Sequence, residues 1–214
     1  MTNVYVPTGA NDSTWVTIDL PFSPSEALRF CHDIKGLLWL NPYLDIHSWQ
    51  EMDGPFVEGK RYHMQVLNEM TGIEHDMELT LTELTDSKLC LNYSTGVKKG
   101  LEILATLPDE SSSHPKAAAS ILTMREFYDT AQSVEVLEKE VDRSLFHWGA
   151  SLRRYLRNQR RFGWLPGYRR VLRFWLTMSP RNRRIGRWLI WIGMAEFFFF
   201  LFILIIYVLE HNGP

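Results

Sequence analysis

The 214-residue chain holds only two cysteines, Cys31 and Cys90, and no CxxC pair. Two isolated thiols make no disulfide framework, which suits a reducing compartment, and their apolar neighbours read as core surroundings. The first residues, MTNVYVPTGANDSTW, lack both a basic n-region and an apolar h-region, so no cleaved signal peptide is expected. There is no GxSxG elbow, phosphate loop, dinucleotide fingerprint, HxH or HExxH. Those absences remove the usual signatures of serine hydrolases, nucleotide-dependent enzymes and zinc proteases. Acid and lysine are also missing from one whole region. Between Arg143 and Arg187 lie thirteen arginines and no Lys, Asp or Glu, whereas residues 1–142 hold 10 Lys+Arg against 23 Asp+Glu. The net charge of -2 hides this division.

The arginines lead into a long apolar stretch. Trp188 to Leu209, WLIWIGMAEFFFFLFILIIYVL, carries one ionisable group with a charge at neutral pH, Glu196. About 22 residues at 1.5 Å rise give a helix of roughly 33 Å, enough to cross a ~30 Å hydrocarbon core. Arginine beside such a span keeps its own side in the cytoplasm and pairs with anionic headgroups at about 1 kcal/mol per residue. Counterion release would also favour nucleic acid, but the position next to the span favours the membrane, and no nucleic-acid partner is expected. The expected topology is single-pass, with the N-terminal domain cytoplasmic and the basic-free tail on the opposite side.

Taken in order, residues 1–12 read as a loose arm and 13–162 as the main domain. Residues 163–187 read as a basic amphipathic interfacial segment, 188–209 as the transmembrane helix and 210–214 as a short tail. Val16, Ile18 and Leu20 alternate with Thr17 and Asp19, a half-buried strand. Ser23-Pro24-Ser25-Glu26 is a capping box with proline at the first helical position. A second short helix, Ile34 to Leu40, stops at Asn41-Pro42. Six strands come next with short turns, and alternation is cleanest from Ile73 to Leu81. Val134, Leu137, Val141, Leu145, Trp148, Leu152 and Tyr155 then step by three and four along a long helix. Gly163 to Gly167 ends it. In Tyr168 to Met178, Val171, Leu172, Trp175 and Leu176 oppose Arg169, Arg170 and Arg173, a pattern for the membrane surface. Arg181, Arg183, Arg184 and Arg187 are expected to join that surface, and Ser179-Pro180 to restart the chain into the membrane.

The order strand, two short helices, six antiparallel strands and long helix resembles the START-like superfamily over residues 14–160. That group includes Bet v 1-like proteins, polyketide cyclases and coenzyme Q-binding proteins. SPSEALRFCHDI is similar to the family's opening helix, WLNPYL to the segment entering the second strand, and GPFVEGKRYHM to the turn into the third. The resemblance implies an α+β helix-grip fold, a curved antiparallel sheet wrapped on the C-terminal helix. It also implies an intervening cavity for a lipid, quinone or similar apolar ligand, with no obligatory cofactor. By analogy Tyr62, Met64, Met77, Leu79, Tyr93 and Met124 would line the cavity from the sheet. Leu145, Trp148 and Leu152 would line it from the helix, with Trp39 and Tyr43 near the mouth. A solid core built from the same residues is the competing reading.

His47, His63 and His75 fall on successive strands, but their spacing matches no metal motif, and none of them is expected to bind metal. An enzyme is not the leading expectation. A cyclase-like one would depend on Tyr62 or His75. Glu196 is costly at the middle of a bilayer, at least ~2.5 kcal/mol. It is either protonated and passive, in contact with a partner's helix, or engaged in proton or ligand traffic. Gly193, seven residues after Gly186, offers a small surface for close helix approach, which favours an integral membrane partner.

Overall fold

Alternation builds the sheet. In the computed structural model, residues 4–5, 13–52, 54–108, 119–128 and 144–211 are described. Eight strands run β1 (Val4–Tyr5), β2 (Ser13–Leu20), β3 (Leu44–Glu51), β4 (Arg61–Asn68), β5 (Ile73–Leu84), β6 (Lys88–Tyr93), β7 (Lys98–Thr106) and β8 (Ser120–Tyr128). They form one antiparallel sheet in the order β1-β2-β8-β7-β6-β5-β4-β3. Six strands thus succeed one another as a meander, and β2 closes on the last of them. The arm expected to be loose contributes β1, whose Val4 pairs with Val16.

Two helices, α1 (Pro24–Cys31) and α2 (Ile34–Trp39), carry the chain from β2, near one edge of the sheet, to β3 at the other. Ser23 and Glu26 make the expected capping box of α1, each side chain bonding the other residue's backbone N–H. Asp33 caps α2 by accepting from the Gly36 N–H at 3.0 Å. The long helix α3 is described from Ser144 to Phe162. Val134, Leu137 and Val141 lie outside the described residues. Leu145, Trp148, Leu152 and Leu156 are buried against the sheet, each such side chain stabilising by roughly 2 kcal/mol. Gly149 lies between them, because a Cβ there would stand 2.9 Å from a Val16 methyl. The Trp148 indole donates to the Leu37 carbonyl at 2.8 Å, which pins α3 to α2.

The basic segment divides in two. Its first half is α4 (Tyr168–Thr177), introduced by Gly167 at φ +84°, a left-handed position that only glycine adopts at little cost. Leu176 is buried in the main core, and the Trp175 ring sits where a Cβ on Gly186 would reach it at 3.0 Å. Gly186 therefore receives a helix of its own chain. Val171, on the apolar side with Leu172, is 66% exposed, as is Phe174 at 64%. The second half belongs to α5 (Pro180–His211), one continuous helix of 32 residues. It is long and apolar enough to span a membrane, and its apolar stretch is uncovered by the rest of the chain.

Candidate functional site

The sheet's inner face carries one misfit. On β8 the inward row reads Leu122, Met124, Glu126, Tyr128, and all four are buried. Glu126, at 1% exposure, is a carboxylate in an otherwise apolar row. A lone buried carboxylate would cost several kcal/mol, so it needs partners. Strand β7 supplies one through a register irregularity between Lys98 and Gly100. Leu101, Ile103 and Ala105 point inward, so strict alternation would turn Lys99 inward too. The extra residue turns Lys98 inward instead, with Lys99 exposed. Lys98 Nζ then lies 3.1 and 3.0 Å from the two Glu126 oxygens. Tyr128 Oη donates to Glu126 Oε2 at 3.0 Å and lies 2.9 Å from Thr14 Oγ1. Lys98 also reaches Ser144 Oγ at 3.5 Å, at the start of α3.

Beside this network lies a cavity of about 70 Å³ between the sheet, α2 and α3. Tyr43, His75, Met77, Tyr93 and Trp148 border it, with Lys98 and Glu126 at the charged end. Burial pushes the Tyr93 hydroxyl well above its usual pKa, and the Glu126 charge adds to the push. Tyr93 is thus held as a neutral phenol, able to donate or accept a hydrogen bond. One wall is apolar, and the other offers a phenol, an ammonium and an imidazole. Such a site receives a small polar head joined to an apolar body.

Four of the residues assigned to ligand binding, Tyr43, Met77, Tyr93 and Trp148, border this cavity. The other assigned residues lie elsewhere. Tyr62, Met64, Leu79, Met124, Leu145 and Leu152 are packed in the continuous core and border no part of it. Trp39 packs half-buried against that core with the Lys35 ammonium 4.8 Å from its ring centre. Which inward side chains touch one another and which leave a gap depends on sheet curvature, which alternation does not encode. Glu126 and Lys98 were missed. The signal for Glu126 was present, a charge on the inward beat of Leu122, Met124 and Tyr128, whereas the irregularity that turns Lys98 inward left none.

The histidines separate. His75 lines the cavity, while His63 lies on the opposite face of the sheet with Nε2 2.6 Å from Asp76. His47 is exposed, 3.8 Å from Asp45. Tyr62 is stacked obliquely on Trp49 at 5.1 Å, and burial raises its pKa to about 12.

The membrane-surface assignments also divide. Arg169, Arg170, Arg173, Arg181 and Arg187 are exposed, and Trp175 is half-buried. Arg183 is buried instead, at 8% exposure, donating to the Trp39 and Asn41 carbonyls at 2.7 and 3.4 Å. Arg184 is ion-paired with Glu69. These two arginines fasten the foot of α5 to the loop after α2, where a free carbonyl pair was available to take them. Gly193 and Glu196 lie on the exposed surface of α5, and a Cβ on Gly193 would meet nothing within 4 Å.

No protein-family model matches the sequence, and no curated protein does so either. Solved structures do. Protein Ms6760 from Mycobacterium smegmatis superposes with a TM-score of 0.51 at 12% identity, covering 73% of this chain and 99% of its own. The strand–helix–helix–meander–helix order and this superposition agree. The domain has a helix-grip fold, an antiparallel sheet wrapped on a long helix. Ara h 8.0201 is also similar, at TM-score 0.46 and 11% identity over 68% of this chain and 97% of its own. The KanY protein gives 0.46 and 11% over 70% and 99%. At these identities the likeness concerns the fold alone. The helix-grip domain here differs by its continuation through α4 into the apolar α5.

Proposed function

We propose that the chain is a membrane-anchored helix-grip module that binds or shields an apolar ligand with a polar head, a quinone or similar lipid. The observation that carries this reading is the charged end of a cavity of mixed lining, where Tyr93 and Lys98 face the same space as His75 and the apolar Leu38, Val66 and Met77. A purely structural domain gains little from setting the buried Glu126 against the part-buried Lys98, since an apolar pair of equal volume is commonly as stable or more so. At about 70 Å³ the cavity admits a head group, and a longer body would leave past Tyr43 toward α5.

Anchoring by α5 rests on its length and uncovered apolar surface, since exposed apolar patches beyond a few hundred Å² are rare in water. Arg-rich flanks would hold the domain in the cytoplasm with the C-terminus on the opposite side. Exposed Trp164, Val171 and Phe174 beside Arg170 and Arg173 supply the apolar and cationic groups that a membrane surface takes up. Glu196 with Gly193 would face an integral membrane partner, which makes the module an accessory or assembly factor of a membrane complex. The closely packed core favours a second reading, a structural subunit without a ligand. Organic extraction of the purified full chain separates the two. An apolar molecule in near-stoichiometric amount supports the first reading, and its absence from chain taken directly from native membranes supports the second.

A further inference from the structure

A second concavity, of about 530 Å³, lies at the foot of α5, between α3, α4 and the loop after α2. Its chemistry is opposite to that of the cavity. Arg154, Arg183, Arg184 and Arg187 line it, together with His147 and apolar Leu172 and Trp175, and no acidic side chain among the described residues does. Arg184 is neutralised by Glu69 outside the lining. Arg154 and Arg187 are exposed and make no ion pair among the described residues. Arg183 is buried at 8% exposure, and its Nε has no hydrogen-bond partner although its two Nη atoms do. Among the described residues, Arg154 and Arg187 thus present unpaired guanidinium charge to the groove, beside an Arg183 that the backbone fixes and that Asp45 and Glu69 act on from outside the lining. Convergent cations left uncompensated are an unfilled anion site.

The depth of the groove selects the anion. Arg183 and Arg187 stand five residues and one residue before Trp188, where the apolar stretch begins. At 1.5 Å per residue they lie about 7.5 and 1.5 Å from its edge. The headgroup layer on each side of a bilayer is roughly 5–7 Å thick. With α5 in a membrane, the groove opens at the level of lipid phosphates, and Leu172 and Trp175 offer apolar surface to the glycerol and upper acyl chain.

We infer that this groove binds the phosphate of one anionic phospholipid, held by Arg154 and Arg187 with the charge of the buried Arg183 behind them. This rests on the reading of α5 as a membrane span, and it adds a defined lipid site to it. Tyr43 borders both the groove and the inner cavity, and its ring meets His147 edge-on at 5.6 Å. A lipid seated in the groove therefore lies against the side chain that divides the two spaces.

The test compares full-length chain with Arg154→Gln/Arg187→Gln and with Arg169→Gln/Arg170→Gln. The second variant loses the same charge from α4 residues outside the groove. Flotation with phosphatidylcholine vesicles is read first. Chain that does not float overturns the membrane reading and this proposal with it. For chain that floats, native mass spectrometry from nanodiscs of phosphatidylcholine plus phosphatidylglycerol reads lipid retention. The expected result is one retained phosphatidylglycerol, lost in the groove variant and kept in the α4 variant. The two groove contacts, at about 1 kcal/mol each, correspond to roughly thirtyfold weaker retention. Equal loss in both variants, or equal retention of phosphatidylcholine, overturns the groove while leaving the anchor standing. Inorganic phosphate that competes the lipid away at equal concentration overturns the assignment to a lipid.

Discussion

The inner cavity and the groove at the foot of α5 are neighbours that share Tyr43, yet they handle charge in opposite ways. In the cavity each charge has its partner from within the fold: Glu126 has Lys98 and Tyr128, and the space left over is small. In the groove Arg154 and Arg187 have no acidic partner among the described residues, and the space is several times larger. A polar group satisfied from within its own domain serves to orient and select. One left unsatisfied at an accessible surface requires something from outside. On the proposed function, selectivity belongs to the cavity and attachment to the groove.

The sharpest break in this comparison is Glu126→Ala. It takes the carboxylate from the part-buried Lys98 ammonium and the acceptor from Tyr128, and the expected loss is about 1–3 kcal/mol. Urea or thermal unfolding of the detergent-solubilised chain reads it. Glu126→Gln, which keeps the Tyr128 hydrogen bond, should lose less. If the Ala variant is as stable as the parent, the cavity's charge is not internally balanced. Next comes the packed half of the inner face. Gly149→Ala sets a methyl 2.9 Å from a β-branched neighbour that has little room to move, and it should cost about 1–3 kcal/mol by overpacking. Trp148→Phe removes the indole donor to the Leu37 carbonyl, and a loss of about 1–2 kcal/mol is expected by the same unfolding measurement.

A smaller effect belongs to pH. His32 sits at the C-terminal end of α1, and its pKa is lowered from 6.5 by burial first and by Arg29 second. Its Nε2 is buried without a partner. Below pH 6.5 the unfolded chain therefore binds more protons at this residue than the folded one. Stability from this group is fully present above about 6.5 and declines as pH falls through the lowered folded value. His32→Gln should flatten that part of the stability profile. An unchanged profile would mean that the ring is solvated.

Much of the fold was legible because it arises from periodicity and local chemistry. Strand alternation from β2 to β8, the Ser23–Glu26 box and the helix break at Gly163 to Gly167 all depend on neighbours in sequence. The site was less legible, because it depends on exceptions to periodicity. One added residue at Lys99 turns a lysine inward, and the curvature that packs Met64 and Met124 leaves Met77 facing a gap. The basic segment was harder to read for a related reason. An arginine run has the same pattern whether its members meet headgroups or backbone carbonyls, and only the loop after α2, folded close to α5, decides that Arg183 meets carbonyls.

The central claim is that the charged end of the cavity selects a ligand. Native mass spectrometry of full-length chain, taken from its own membranes in mild detergent, tests it most directly when paired with Tyr93→Trp, which fills the space beside Lys98. The account predicts an apolar adduct on the parent chain that is lost in the folded variant. Identical adduct patterns in the two proteins, or none in either, would contradict it.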